Sequence, residues 1–421
     1  MFTVLARSRC DLLRRRNFRL LLGGAAASQV GAQVTLVALP LVAVLALDVS
    51  AFEVGLLTAA ETSAFLLIGL PAGAWVDRMR RLPVLIRADL VRAATMLSVP
   101  LAAVAGVLTM TQLYMVALIT GGATVFFDVA HQSFLPRLLP REHLVAGNGA
   151  LETARSAAQV TGPGLGGWLV QVLGAPLAIL ADAFGYLVSA VFLSAIRVQE
   201  QPPKREARAA LRIQIAEGIA FVARHRILRM IALATAIANF FNAMLVSVQT
   251  VFLVRVLELP AAALGLYMSA AAAGGLAGAL CAGMAAKLVG QARIIWLSTV
   301  LTGPFALLWP LAGKGAAAGW FALGSGAVFF GAVIYNVAQV GFRQMLCPDE
   351  LLGRMNATLR FVVWGTMPLG ALLGGAVAGT WGPRTAVWVC AIGILVVPIP
   401  LLLSPLRRLR DLPEPTDLPT L

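Results

Sequence analysis

The sequence predicts an all-α membrane protein with twelve transmembrane helices arranged as two pseudo-symmetric six-helix bundles. Three observations predict it: an apolar composition that a water-soluble globule does not sustain, an uneven spread of positive charge over alternate connections, and an internal repeat at about half the chain length.

Composition comes first. Hydrophobic residues make up 59% of the 421 and charged residues 12%, with a mean hydropathy of +0.86, whereas soluble domains are about a quarter charged. A helix needs ~20 residues to cross ~30 Å of hydrocarbon, so the chain holds about a dozen spans and no large soluble domain. A net charge of +14 in a soluble chain would suggest nucleic acid. In a membrane chain it bears on orientation instead. The four cysteines, Cys10, Cys281, Cys347 and Cys390, form no CxxC pair, so neither a disulfide framework nor a zinc site is expected.

The elements follow from breaking the apolar runs at charges, Pro and Gly. After Arg14, Arg15, Arg16 and Arg19, the apolar run from Leu20 to Leu47 is too long for a signal-peptide core and reads as span one, 20–46. Spans two to six fall at 53–76, 84–107, 111–134, 145–172 and 176–196. Spans seven to twelve fall at 229–253, 261–286, 292–312, 318–342, 354–380 and 384–404. Six arginines precede span one, Arg78, Arg80 and Arg81 follow span two, and Arg137 and Arg141 follow span four. The opposite connections hold Arg255, Lys314 and Arg384. Positive residues stay on the cytoplasmic side, so both termini are expected there, in a bacterial inner membrane. The domain reading is a bundle over 1–197, a cytoplasmic linker over 198–228, a second bundle over 229–404 and a cytoplasmic tail over 405–421. Within the linker, Ile213 to Arg226 has the pattern of an amphipathic helix on the anionic leaflet, with a plain basic linker as the alternative. The tail from Asp411 has a disordered composition.

A shift of 208 residues places Phe134, Pro140, Glu142, Leu144, Asn148, Leu151, Gly162, Gly166, Gly167 and Gly174 on identical residues at 342, 348, 350, 352, 356, 359, 370, 374, 375 and 382. A shift of 210 places Gly55 and Gly73 on Gly265 and Gly283. Repeats of six spans enter the membrane with the same orientation, which gives parallel halves related by an axis along the membrane normal.

Two motifs are more specific. Gly73-Ala-Trp-Val-Asp77-Arg78-Met-Arg-Arg81, between spans two and three, resembles the G-x-x-x-D-R-x-x-R signature of the major facilitator superfamily. Gly162-Pro163-Gly-Leu-Gly166-Gly167 in span five resembles motif C of its drug and proton antiporters. Within the superfamily, the resemblance over nearly the whole chain is to the subfamily of the enterobactin exporter and macrolide efflux proteins. It is carried by Arg16-Asn-Phe-Arg19, Ala181-Asp-Ala-Phe184 and Pro348-Asp-Glu-Leu-Leu-Gly-Arg-Met-Asn356. The resemblance implies the major facilitator fold and a latch in which Asp77 meets the start of helix eleven near Gly353 to Asn356 while Arg81 pairs with Asp128. It also implies substrate lining from helices one, four, seven and ten. The chain departs from the family in three places. Met79 and Arg80 stand where many members have Gly, Lys287 stands at the second-half equivalent of Asp77, and Gly31 is followed by Ala32 and Gln33 where relatives carry an acid.

An ionisable residue in hydrocarbon costs ~2.5–3.5 kcal/mol on insertion scales and is a functional hypothesis by default. The proton-coupling candidates are Glu61, Asp182, and the i,i+3 pair Glu152 and Arg155, with Arg92 and Arg360 as further intramembrane charges. Helix capping is the alternative reading for Asp182, and a neutral couple near a helix end the alternative for Glu152 with Arg155. Substrate-cavity candidates are Gln29, Gln33, Asn239, Asn242, Gln249, Phe240, Phe241 and Tyr335. A mostly apolar cavity with few polar groups suits amphipathic cargo. No HExxH, Cys/His cluster or Ser/His/Asp arrangement appears, so the sequence does not read as an enzyme. The expected protein is a monomer in membrane lipid that handles a small-molecule substrate, uses the proton gradient without a cofactor, and has no metal or nucleic-acid partner. It is expected to export a drug, siderophore or secondary metabolite by alternating access in exchange for protons. Proton-coupled uptake of a small organic solute is the alternative.

Overall fold

The structure, a computed structural model, describes residues 12, 15–76, 78–140, 143–198, 219–346 and 349–411. Twelve long helices run through them: α1 Arg16–Leu41, α2 Ala51–Val76, α3 Arg81–Val104, α4 Met110–Leu138, α5 Leu144–Leu173, α6 Leu180–Ser194, α7 Arg226–Val251, α8 Ala261–Val289, α9 Gln291–Thr302, α10 Gly319–Leu346, α11 Asp349–Trp381 and α12 Pro383–Val396. Nine of the helical stretches are long and apolar enough alone to cross a membrane. The other three long helices, α3, α5 and α11, carry charges or glycine-rich stretches in their sequences.

By packing, the chain divides into two units. The first takes Met1–Ser50, Ala60–Glu206 and Pro260–Ser269, and the second takes Ala51–Ala59, Ala207–Leu259 and Ala270–Leu421. The starts of α2 and α8 are thus exchanged relative to chain order. In the first unit α1 packs on α5 and α6, and α3 packs on α4 and α6; in the second, α7 packs on α11 and α12, and α9 packs on α10. The two units repeat one packing scheme.

The repeat reaches into details that no residue identity signals. A π-helical stretch, Val42–Ala46, ends the first helix, and Phe252–Val256 ends the seventh, 210 residues on. Each is followed by an acid in the left-handed region, Asp48 at φ 48° and Glu258 at φ 56°. That conformation is uncommon for a residue with a Cβ. Gly174 and Gly382, at φ 83° and 89°, make the matching turns into the sixth and twelfth helices.

Helix association in lipid lacks a hydrophobic driving force and depends on close packing, which small residues permit. The glycines of the span-five motif are used this way. A Cβ on Gly162 would overlap Gln33 of α1, one on Gly166 would stand 3.0 Å from the Val34 Cα, and one on Gly167 would meet the Ala261 carbonyl and stand 3.0 Å from the Gly265 Cα. The second unit repeats the pattern: Gly370 faces the Phe240 carbonyl, Gly374 faces Met244 and Ser247 of α7, and a Cβ on Gly375 would stand 3.0 Å from the Gly55 Cα. The Gly164 N–H also donates to Ser269 Oγ at 2.8 Å. Pro163 lies inside α5, where it removes one helical hydrogen bond.

Local ties set the helix ends. Asn17 Nδ2 donates to the Arg197 carbonyl at 3.0 Å and Asn17 Oδ1 accepts from the Arg197 N–H at 3.4 Å, which joins the start of α1 to the chain leaving α6. Phe18 beside it is buried among Phe134, Leu135 and Leu193. The Asp411 carboxylate accepts from the Gln291 N–H at 3.2 Å and the Arg410 carbonyl accepts from the Ala292 N–H at 3.1 Å. Asp411, expected at the head of a disordered tail, therefore caps α9. The rest of that tail, 412–421, lies outside the described residues. Most of the proposed amphipathic linker helix does too; its described part, 219–224, is helical.

Candidate functional site

The first unit seals a charged cluster between α3, α4 and α6. Asp89 and Arg92, one turn apart on α3, are 0% and 4% exposed, and Arg92 Nη2 donates to Asp89 Oδ1. The guanidinium lies between two rings, with its carbon 4.1 Å from the Phe127 centroid and 4.3 Å from the Tyr186 centroid. Buried cation–π contacts of this kind are worth up to ~2 kcal/mol. His131, one turn along α4 from Phe127, stacks on it with centroids 5.7 Å apart. Its Nε2 is buried without a partner.

Asp182 lies one turn before Tyr186 on α6 and is 1% exposed. The hydroxyls of Thr35 and Tyr186 face its carboxyl, and the charges of Arg92 and Glu61 act on it. Gly31 makes room for it: a Cβ there would stand 2.7 Å from the Asp182 Cα and 2.8 Å from Oδ1. Gly31 thus has a steric role, because α1 supplies a hollow and α6 fills it with the acid.

Glu61 is exposed, and its carbonyl abuts Gly121 of α4, where a Cβ would stand 2.6 Å away. The structure therefore brings together Glu61, Asp182 and Arg92 from the sequence reading and adds Asp89, Tyr186, His131 and Thr35. Glu152 and Arg155 are different. Their charged atoms are 3.9 Å apart, with side chains 66% and 56% exposed, a geometry in which an ion pair is worth little. The side chain of Arg360 is outside the described residues.

The remaining candidates disperse. Arg78 is exposed in the turn after α2, which contains Gly73 in its last turns. Asp77 lies outside the described residues. Arg81 is 7% exposed at the start of α3 and donates to the Met79 carbonyl at 3.3 Å. Asp128 is half-buried on α4. Several cavity candidates serve helix packing. Gln33 covers Gly162, and the Phe241 ring lies against Gly393 of α12. Phe240 meets Phe241 edge to face at 5.1 Å. Tyr335, 5% exposed, shares a 2.6 Å hydrogen bond with Thr235 Oγ1, and Asn239 donates to the Thr235 carbonyl at 2.9 Å. Gln29, Asn242 and Gln249 are half-buried.

Past the linker, the acids before the tail are Glu258, Asp349 and Glu350. Glu258 pairs with Lys314 on an exposed turn, and the other two begin α11. Among the described side chains, the fully buried carboxylates, Asp89 and Asp182, belong to the first unit. Among the described residues no group of three His, Cys, Asp or Glu could hold a metal.

Two repeated six-helix units, glycine seams between helices and ionisable groups sealed inside one unit define a polytopic transporter rather than an enzyme or a receptor. The Major Facilitator Superfamily model matches residues 21–362, and the chain belongs to that family. It is 26% identical over 415 residues to the "Multidrug efflux pump Tap" of Mycolicibacterium fortuitum, covering 95% of this chain and 98% of that one. With the pump of the same name from Mycobacterium tuberculosis it is 28% identical over 406 residues, covering 92% and 93%. Among solved structures it is similar to the nucleoside transporter NupG, with TM-score 0.75 and 13% identity over 92% of this chain and 99% of that one. It is also similar to a bacterial homologue of the iron transporter ferroportin, with TM-score 0.73 and 16% identity over 92% and 98%. At such identities these structures show the fold alone.

Proposed function

We propose that this chain is a secondary active exporter that moves a small amphipathic compound out of a bacterial cell by alternating access, in exchange for protons. Asp182 carries the proton and Glu61 relays it. The observation that carries the coupling is Asp182 itself, sealed at 1% exposure with only the Thr35 and Tyr186 hydroxyls set against its carboxyl. A carboxylate held that way costs several kcal/mol when charged, so Asp182 rests neutral unless a cation approaches it, which is the property a proton carrier needs. The direction of transport is supported by near full-length relatives named multidrug efflux pumps. The motif-C glycines and the resemblance to the enterobactin and macrolide exporter subfamily support the same direction. Asp77, Arg78, Arg81 and Asp128 would form the cytoplasmic latch, with both termini on that side. Gln29, Asn242 and Gln249 are the half-buried polar groups available to meet cargo.

The test is transport by inside-out vesicles against a panel of amphipathic cations and neutral drugs. Export predicts accumulation in the lumen when the lumen is acid and none when the gradient is dissipated. Accumulation in right-side-out vesicles with acid outside would establish uptake instead.

A further inference from the structure

Asp89 and Arg92 are not needed by a scheme in which Asp182 alone binds a proton, yet they are sealed beside it. The Arg92 guanidinium stacks on the ring of Tyr186, and Tyr186 is one helical turn from Asp182. On its other side the guanidinium holds Asp89 through one oxygen, and the Ser189 hydroxyl is set against the same carboxyl. Glu61 from α2, Thr35 from α1, His131 from α4 and Ser189 from α6 are the other titratable or polar groups that face these three residues.

Charge counting decides what such a cluster binds. Two carboxyls and one guanidinium, sealed together, carry a net charge of −1 with both acids ionised and zero with one proton bound. Sealed net charge is the expensive state in low dielectric. Arg92 has donors in a fixed fork, uses one of them on Asp89, and is held in place by aromatic faces rather than by a second acid.

We propose that Asp89, Arg92 and Asp182 form a one-proton exchange site in which the guanidinium of Arg92 passes between the two carboxylates. In the proton-loaded state Asp182 is neutral and Arg92 pairs with Asp89. When the Asp182 O–H bond breaks, the proton leaves through Glu61 and the carboxylate electron pair stays on Asp182. Arg92 then turns between the Phe127 and Tyr186 rings to face the new carboxylate. The two acids share one cation, so the site accepts one proton per cycle. Arg92 and Asp89 are positioning residues in this scheme, and the scheme rests on the reading of Asp182 as the proton carrier.

The experiment is infrared titration of the purified full-length protein in lipid, following the C=O stretch of protonated carboxyls in a Glu61→Gln background. Among the bands of the surface acids, that background protein should show one carboxyl band that Asp182→Asn removes, and the titration follows that band. Asp89→Asn should remove it as well, although Asp182 remains, because Arg92 then keeps Asp182 ionised; Asp89→Glu should restore it. An Asp89→Asn protein that titrates with the background midpoint overturns the proposal. Should that protein fail to fold, Asp89→Asn with Arg92→Gln removes the pair together. Without the cation Asp182 should then hold its proton to a pH about two units higher, and an unchanged midpoint again overturns the proposal. The readout is independent of transport. A background protein that titrates this carboxyl while wild type shows no gradient-driven export leaves the site intact and refutes proton-coupled export.

Discussion

Replacing Gly167 by alanine tests whether the span-five motif works by backbone contact. Alanine is a better helix former than glycine by about 1 kcal/mol, so an exposed or roomy position should gain from the change. At Gly167 the added methyl meets main chain on the opposite helix: the Ala261 carbonyl, and the Gly265 Cα and N at 3.0 and 3.1 Å. Backbone cannot rotate aside as a side chain does, so α5 and the start of α8 must separate, and overpacking of this kind costs about 1–3 kcal/mol. Gly149 supplies a control on the same helix, because nothing lies within 4 Å of a Cβ there. The helix-propensity gain is common to both variants, so they should differ by the overpacking cost of about 1–3 kcal/mol, with Gly149→Ala at or above wild type. At about 2–4 °C per kcal/mol for a unit of this size, that gap is roughly 2–12 °C in the apparent Tm of the detergent-purified protein. Gly375→Ala, set against Gly55, should behave like Gly167→Ala. Equal Tm values for Gly167→Ala and Gly149→Ala would refute the contact argument.

Other perturbations probe different parts. Gly31→Ala should push α1 off Asp182, lowering both Tm and gradient-driven transport, whereas Gly69→Ala, with open space around it, should leave the stability within about 1 kcal/mol of wild type. Arg384 donates to the Pro310 and Ala312 carbonyls at 3.2 and 3.0 Å, so Arg384→Ala should cost about 1.5–3 kcal/mol in unfolding measurements. His225 accepts from the Leu228 N–H at 3.4 Å through Nδ1, which requires the neutral ring, and burial lowers its pKa below the ordinary histidine value. A lowered histidine pKa places its stabilisation above the unfolded value and removes it as pH falls through the folded one. The stability difference between wild type and His225→Ala should therefore shrink on acidification.

Much of the fold was legible because its causes are local. Apolar runs of the length that crosses a bilayer mark the helices, and the shifts of 208 and 210 residues align glycines whose packing partners are also related by the repeat. The π-helical ends and the left-handed Asp48 and Glu258 were not legible, since VAVLA and FLVRV share no residue type that demands a π turn. The site was legible only in part. Inside its predicted spans the chain presents two acid–arginine pairs at the same i,i+3 spacing, Asp89 with Arg92 and Glu152 with Arg155, and spacing does not separate them. What separates them is the aromatic faces of Phe127 and Tyr186 and the packing of α6, which come from distant sequence and seal the first pair while the second stays exposed. Gln33, Phe241 and Tyr335 illustrate the converse, because polar and aromatic residues on central helices look alike whether they face cargo or a neighbouring helix.

Proton-coupled export through Asp182 is tested most directly by comparing Asp182→Asn with wild type in inside-out vesicles, under an imposed acid-inside gradient and in substrate exchange without one. The account predicts that the variant still exchanges substrate down its own gradient but does not concentrate it when the lumen is acidified. An Asp182→Asn protein that accumulates substrate as steeply as wild type under the same gradient would contradict it.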